Sequence, residues 1–108
     1  MATKGRGPYP DTAIHPGEHL AELLEEKKMS QAELARRMGR HQPLVNLIVR
    51  GKKAITAETA LQLEEILGLS AETWMNLQTN YDLTLARIAR KRARASGALR
   101  PRSRPTPS

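Results

Sequence analysis

The chain contains no cysteine and no phenylalanine, and only one tryptophan and two tyrosines among 108 residues. Without cysteine there is no disulfide staple, no Cys-based zinc site and no thiol nucleophile. A reducing compartment suits such a chain, and a cytoplasmic location is expected. Long apolar runs are missing as well. No window approaches the ~20 residues of a membrane span, so no membrane partner is expected. The first dozen residues are polar and lack the apolar stretch of a secretory signal. Strand alternation with hairpin turn signals is absent, and so is any internal repeat. This length holds one small domain with tails, not two domains.

What the chain does have is positive charge, very unevenly placed. The formal charge is +7, from 18 Lys and Arg against 11 Asp and Glu. Eight of the cations fall in residues 84–108: Arg87, Arg90, Lys91, Arg92, Arg94, Arg100, Arg102 and Arg104. No acid lies among them, which leaves residues 1–83 with ten cations, eleven acids and a net charge of −1. A basic balance points to nucleic acid, but here the excess is confined to the last quarter of the chain.

Residues 1–13 carry Gly5, Gly7, Pro8 and Pro10 and no periodic apolar pattern, as expected of a disordered arm. Residues 94–108, with Pro101, Pro105 and Pro107 among Arg, Ser and Thr, are expected to form a basic disordered tail. Between them, residues 14–93 read as an all-α domain of five helices. The first opens at Pro16, where a missing N–H costs nothing, and closes at Lys27 and Lys28. Ser30 and Glu33 form a capping box, in which the Glu carboxylate is expected to reach back to the Ser N–H. Leu34, Ala35 and Met38 give that helix its inner face, and Gly39 stops it. A third helix follows from about Gln42 to Arg50, with Val45, Ile48 and Val49 inward and Gly51 as the stop. Thr56 caps a fourth, with Ala60, Leu61, Leu63 and Leu67 inward and Gly68 at its end. Ser70 caps a fifth, which runs into the Arg-rich stretch. Along it Trp74, Leu77, Tyr81, Leu85 and Ile88 form one stripe, expected to be a homodimer contact; packing on its own bundle is the plain alternative.

The second and third helices are separated by a very short turn around Gly39 and His41, which is helix-turn-helix spacing. Ala35 is small enough for one helix to cross the other, Gly39 permits the turn, and Val45 and Ile48 pin the second helix from inside. Its other face is then free to enter a major groove. An ordinary αα-hairpin is the plain alternative.

The chain resembles HigA-type antitoxins, Xre-like helix-turn-helix proteins of type II toxin–antitoxin modules. The residues that carry the resemblance begin with His15-Pro16-Gly17-Glu18 and Ser30-Gln31-Ala32-Glu33-Leu34-Ala35. They continue with the run from Gly51-Lys52-Lys53 to Thr59-Ala60 and the closing Trp74-Met75-Asn76-Leu77-Gln78-Thr79-Asn80-Tyr81-Asp82-Leu83. The resemblance implies a lambda-repressor-like domain and a homodimer that represses its own operon by binding double-stranded operator DNA. It also implies neutralisation of a HigB-type toxin, a RelE-like mRNA endonuclease. Two other readings stay open: a stand-alone or phage-type repressor, and a toxin-binding module that has lost DNA binding.

The expected DNA contacts are Arg40, His41, Gln42, Asn46, Leu47 and Arg50 with Lys52 and Lys53. Gln and Asn amides can read adenine edges, and cations hold phosphates. The family usually places an apolar residue where this chain has Arg40, and a Ser or Thr cap where it has His41. His41 is expected to cap only through a neutral ring nitrogen. Leu47 stands where a polar reader is usual and would meet a thymine methyl or no base at all. Tail arginines can add phosphate contacts without sequence preference; a solubilising tail is the plain alternative. On the first helix Glu18, Glu22, Glu25 and Glu26 make an acidic stripe, expected to contact the basic toxin; a solvated face is the plain alternative.

Enzyme readings fail on the residues available. His15-Pro16-Gly17-Glu18-His19 formally fits H-x-x-E-H, an inverted zinc-protease signature. Pro and Gly between the ligands place His15 ahead of the helix, and no third ligand stands nearby. No P-loop or nucleophile elbow is present. No catalytic residue, metal or cofactor is expected.

Overall fold

A computed structural model describes residues 13–97. The expected N-terminal arm up to residue 12 and the chain from residue 98 lie outside the described residues. Five helices follow in order: α1 (Pro16–Glu26), α2 (Gln31–Met38), α3 (Gln42–Val49), α4 (Ala57–Leu67) and α5 (Ala71–Ser96). Among the described residues there is no strand. Two units are distinguished, Ile14–Tyr81 and a second that takes in α5 from Asp82 onward.

Local signals set the helix ends. Ser30 Oγ accepts the Glu33 N–H at 3.0 Å, Thr56 Oγ1 the Thr59 N–H at 3.3 Å and Ser70 Oγ the Thr73 N–H at 3.0 Å. Each satisfies a donor that has no partner inside its helix. The reach-back expected of Glu33 is not made. Its carboxylate instead takes Arg36 and Arg37, the latter at 2.7 Å, one turn further along α2. Two guanidinium groups outcompete one backbone N–H because both partners are charged. They also hold the Glu33 carboxyl below the ordinary carboxylate range, through hydrogen bonds from Arg36 first and Arg37 second.

The core of the first unit draws on every helix. It holds Leu20 and Leu24 of α1, Leu34, Ala35 and Met38 of α2, and Val45 and Ile48 of α3. Ile55 joins from the connection, with Ala60, Leu63 and Leu67 of α4 and Trp74 of α5. α3 packs against α2 and α1, and α4 packs against α2. One expectation about faces is corrected. Leu61 points outward, 55 % exposed, because α4 turns Ala60 and Leu63 inward and Leu61 lies a third of a turn off that stripe. Val49, half-buried, packs against the core as expected. Buried Gln78 of α5 accepts the Ile55 N–H at 2.8 Å and so ties the α3–α4 connection to α5.

In the second unit α5 continues as regular helix through Ser96, three residues into the stretch expected to be disordered, and ends at Gly97 with φ 75°. Leu83 and Leu85 are exposed there. Among the described residues no helix is long and apolar enough to cross a membrane.

Candidate nucleic-acid interface

The turn between α2 and α3 closes α2 in a left-handed cap. Gly39 takes φ 71°, and the Arg40 N–H reaches back to the Ala35 carbonyl at 2.9 Å. His41 then stands extended at the N-cap of α3, but its side chain caps nothing. The ring-nitrogen cap expected of it is therefore not formed. α3 starts on the bond from the Leu44 N–H to the His41 carbonyl, with Pro43 in its first turn, where a missing N–H is tolerated.

α3 is clamped from three sides. Val45 and Ile48 are buried. From α2, Gln31 Oε1 accepts a hydrogen bond from Asn46 Nδ2 at 3.1 Å. From α1, Gly17 lies so close that a Cβ there would stand 1.9 Å from the Ile48 carbonyl oxygen. Only glycine admits that approach of helix to backbone. His15 locks the same corner. Its Nδ1 accepts the Gly17 N–H at 2.8 Å, and its ring meets Tyr81 of α5 edge to face at 4.7 Å. Gly51, which ends the turn after α3 with φ 76°, lies against that ring.

The face left open on α3 carries exposed Gln42, Pro43, Leu47 and Arg50, with Asn46 half-buried beside them. Lys52 and Lys53 follow in the exposed loop. Gln42, Leu47, Arg50, Lys52 and Lys53 thus stand where the sequence places them, on or just beyond one helix face. Asn46 belongs to that face too, yet its amide is committed to Gln31, so a base edge must share or displace that bond. Arg40 departs from the set. It is half-buried and donates to Gln62 Oε1 of α4 at 3.0 Å, while Gln62 Nε2 donates to the Met38 carbonyl. It braces the turn onto α4.

Elsewhere, Glu18, Glu22, Glu25 and Glu26 are all exposed on α1. The stripe assigned to a second copy divides. Trp74 is fully buried in its own bundle and has no surface to give. Leu77 packs on the same core, and Tyr81 is half-buried against His15. Leu85 is 44 % exposed and Ile88 half-buried, so only the outer part of the stripe remains available. Among the described residues no cluster of three His, Cys, Asp or Glu could hold a metal.

Sequence reasoning named Gln31, Gln78, His15 and Gly17 among the residues that carry the resemblance but gave none of them these bonds, and it missed Gln62. The one local signal for the clamp made by His15 and Gly17 was a histidine directly before a Pro-Gly helix start, where a ring nitrogen can serve as cap.

Comparison with known proteins agrees with this geometry. The family described as Helix-turn-helix matches residues 20–74. Virulence-associated protein I of Dichelobacter nodosus is 44 % identical over 75 residues, 68 % of this chain and 69 % of that protein. The structure of Pseudomonas aeruginosa antitoxin HigA with the higBA promoter is 40 % identical with a TM-score of 0.71. That match covers 83 % of this chain and 98 % of the other. Antitoxin GraA in complex with its operator is 32 % identical with a TM-score of 0.67, covering 96 % of this chain and all of GraA. With its helix-turn-helix built and braced in this way, the chain belongs to the helix-turn-helix family, and its structural neighbours are HigA-family antitoxins.

Proposed function

We propose that this chain is the antitoxin of a toxin–antitoxin pair, a homodimer that represses its own operon and neutralises a HigB-type toxin. The observation that carries the DNA half is the open face of α3, with Gln42, Asn46, Leu47 and Arg50 on a helix clamped by Ile48 on Gly17 and by Asn46 on Gln31. A clamped helix is itself not ordered on binding, which lowers the cost of direct readout. Arg50, Lys52 and Lys53 hold flanking phosphates. The two α3 helices of a dimer would address half-sites about one turn, ~34 Å, apart. The solved structures of HigA with its promoter and of GraA with its operator support the same reading.

The toxin half rests on Glu18, Glu22, Glu25 and Glu26. Four carboxylates repel DNA phosphate and attract a basic RNA-cleaving partner. A gel shift with the DNA upstream of this gene tests the first half. Co-purification with the product of the adjacent small gene tests the second. In that complex Glu22→Lys with Glu25→Lys should weaken binding at least tenfold; unchanged affinity would move the toxin site off α1.

A second reading has a specific observation in its favour. His41 caps nothing, and Arg40 is held on α4, away from the open face of α3. A toxin-binding module without operator recognition fits those two facts. It predicts toxin co-purification together with equal binding to the upstream DNA and to a scrambled duplex.

A further inference from the structure

The basic residues of α5 are sorted by face. Arg87, Arg90, Lys91 and Arg94 recur at spacings of three and four and so form a single stripe, all exposed, over about 10 Å of helix. Leu85, Ile88 and Ala89 lie on the other side, and Arg92 lies with them. Asp82 is the one acid between residues 82 and 97.

The helix dipole does not account for this stripe. A dipole favours cations within the last turn, which contains Arg94 alone; Arg87 and Arg90 stand further inside. The arrangement instead sets like charges beside one another at Arg87–Arg90 and Arg90–Arg94, and each such pair opposes the helix. A row of mutually repelling cations is stabilised by a row of anions spaced along it.

We propose that this stripe is a second, sequence-independent phosphate-binding surface, and that its ligand is the backbone of duplex DNA outside the site read by α3. The choice of DNA rests on the reading of the chain as a DNA-binding protein. Three further observations favour it. Three of the four cations are arginine, whose planar fork matches phosphate oxygens. The opposite face is too poor for a bilayer: it offers one Leu, one Ile and alanines, interrupted by Arg92, with no aromatic anchor. A basic toxin would be repelled.

The test uses the full chain and two duplexes of equal length, the DNA upstream of its gene and a scrambled sequence. Affinity is measured by fluorescence anisotropy from 50 to 300 mM salt. The quadruple variant Arg87→Gln, Arg90→Gln, Lys91→Gln, Arg94→Gln should weaken both duplexes by the same factor. Its log–log salt slope should fall by up to ~3.6, at ~0.9 per phosphate contact. Arg90→Gln alone should lower the slope by ~0.9, whereas Arg92→Gln, which removes the same kind of charge from the other face, should leave it unchanged. The all-lysine stripe should restore it. Glutamine is a good helix former, and an unchanged helical circular dichroism spectrum checks that α5 persists.

A quadruple variant with the parental slope overturns the proposal, as does an equal slope loss from Arg90→Gln and Arg92→Gln. So does binding to phosphatidylglycerol vesicles that is lost in the quadruple variant while DNA binding is kept. Failure of the operator reading looks different: the parent chain then binds both duplexes equally, and the scrambled duplex still reports the stripe.

Discussion

At the scale of single residues, two positions around α3 carry opposite lessons. Gly17 has no special backbone conformation, yet a Cβ there would collide with the Ile48 carbonyl at 1.9 Å, and a carbonyl within α3 cannot swing away as a side chain can. Gly17→Ala should therefore cost roughly 2 kcal/mol in urea denaturation, typical of overpacking. DNA affinity should fall further than the lost stability alone explains, because α3 is displaced. Gly39 is the contrast. It faces open space, so Gly39→Ala meets only the strain of a left-handed backbone, about 1 kcal/mol. If the two substitutions cost the same, the clamp of α1 on α3 is not what holds the reading helix. His41 works in the other direction. Its backbone is already in cap geometry, and its side chain makes no hydrogen bond to the first turn of α3. His41→Ser should add about 1 kcal/mol, read as a higher urea midpoint with unchanged slope.

At the scale of elements, what could be read in the sequence divides by the range of the interaction. Helix ends were legible because a cap is decided within four residues: Ser30, Thr56 and Ser70 open helices and Gly39, Gly51 and Gly68 follow helix ends in the left-handed region. The buried face of α2 was legible for the same reason, since Leu34, Ala35 and Met38 share one side of a short helix. The misreadings are contests that a distant group decides. Periodicity admits Leu61 to the inner face of α4, but the inner face is set by what α2 presents. Arg40 is drawn to Gln62, 22 residues away, and Ile55 to Gln78, 23 residues away. No local pattern announces either. Glu33 is the one local misreading, where Arg36 and Arg37 win a carboxylate expected to cap. That pair carries a pH signature for α2. Glu33 is held below the ordinary carboxylate range in the folded chain, so the unfolded chain binds the proton more readily. The ion pairs thus contribute at neutral pH, and the contribution is lost as pH falls through the folded value. Wild type should exceed Glu33→Gln in stability at pH 7, and the two should converge as the solution is acidified. Because Arg36 and Arg37 are largely exposed, the gap at pH 7 should also shrink in high salt.

At the scale of the whole molecule, the +7 of the sequence is two quantities with different uses. The part that folds around the helix-turn-helix is close to neutral and carries its charge in local arrangements, an acidic face on α1 and a small cationic edge after α3, which the proposed function assigns to partners. The surplus begins on α5, on regular helix, and continues beyond the described residues. A homodimer would bring two such surpluses together, so the contact must be apolar to offset the repulsion. With Trp74 buried, Leu77 on the core and Tyr81 against His15, Leu85 and Ile88 are what the expected stripe still offers. They lie away from the Arg87–Arg94 face, so pairing through them leaves the cations turned outward. Leu85→Glu with Ile88→Glu should then convert a dimer to a monomer in sedimentation velocity while thermal unfolding of the Ile14–Tyr81 unit shifts little. Binding to the upstream DNA should drop by orders of magnitude, because each half-site is then held alone, whereas binding to a scrambled duplex should fall far less. A double variant that stays dimeric would place the two-fold contact elsewhere, with the exposed Leu61 of α4 the next residue to change.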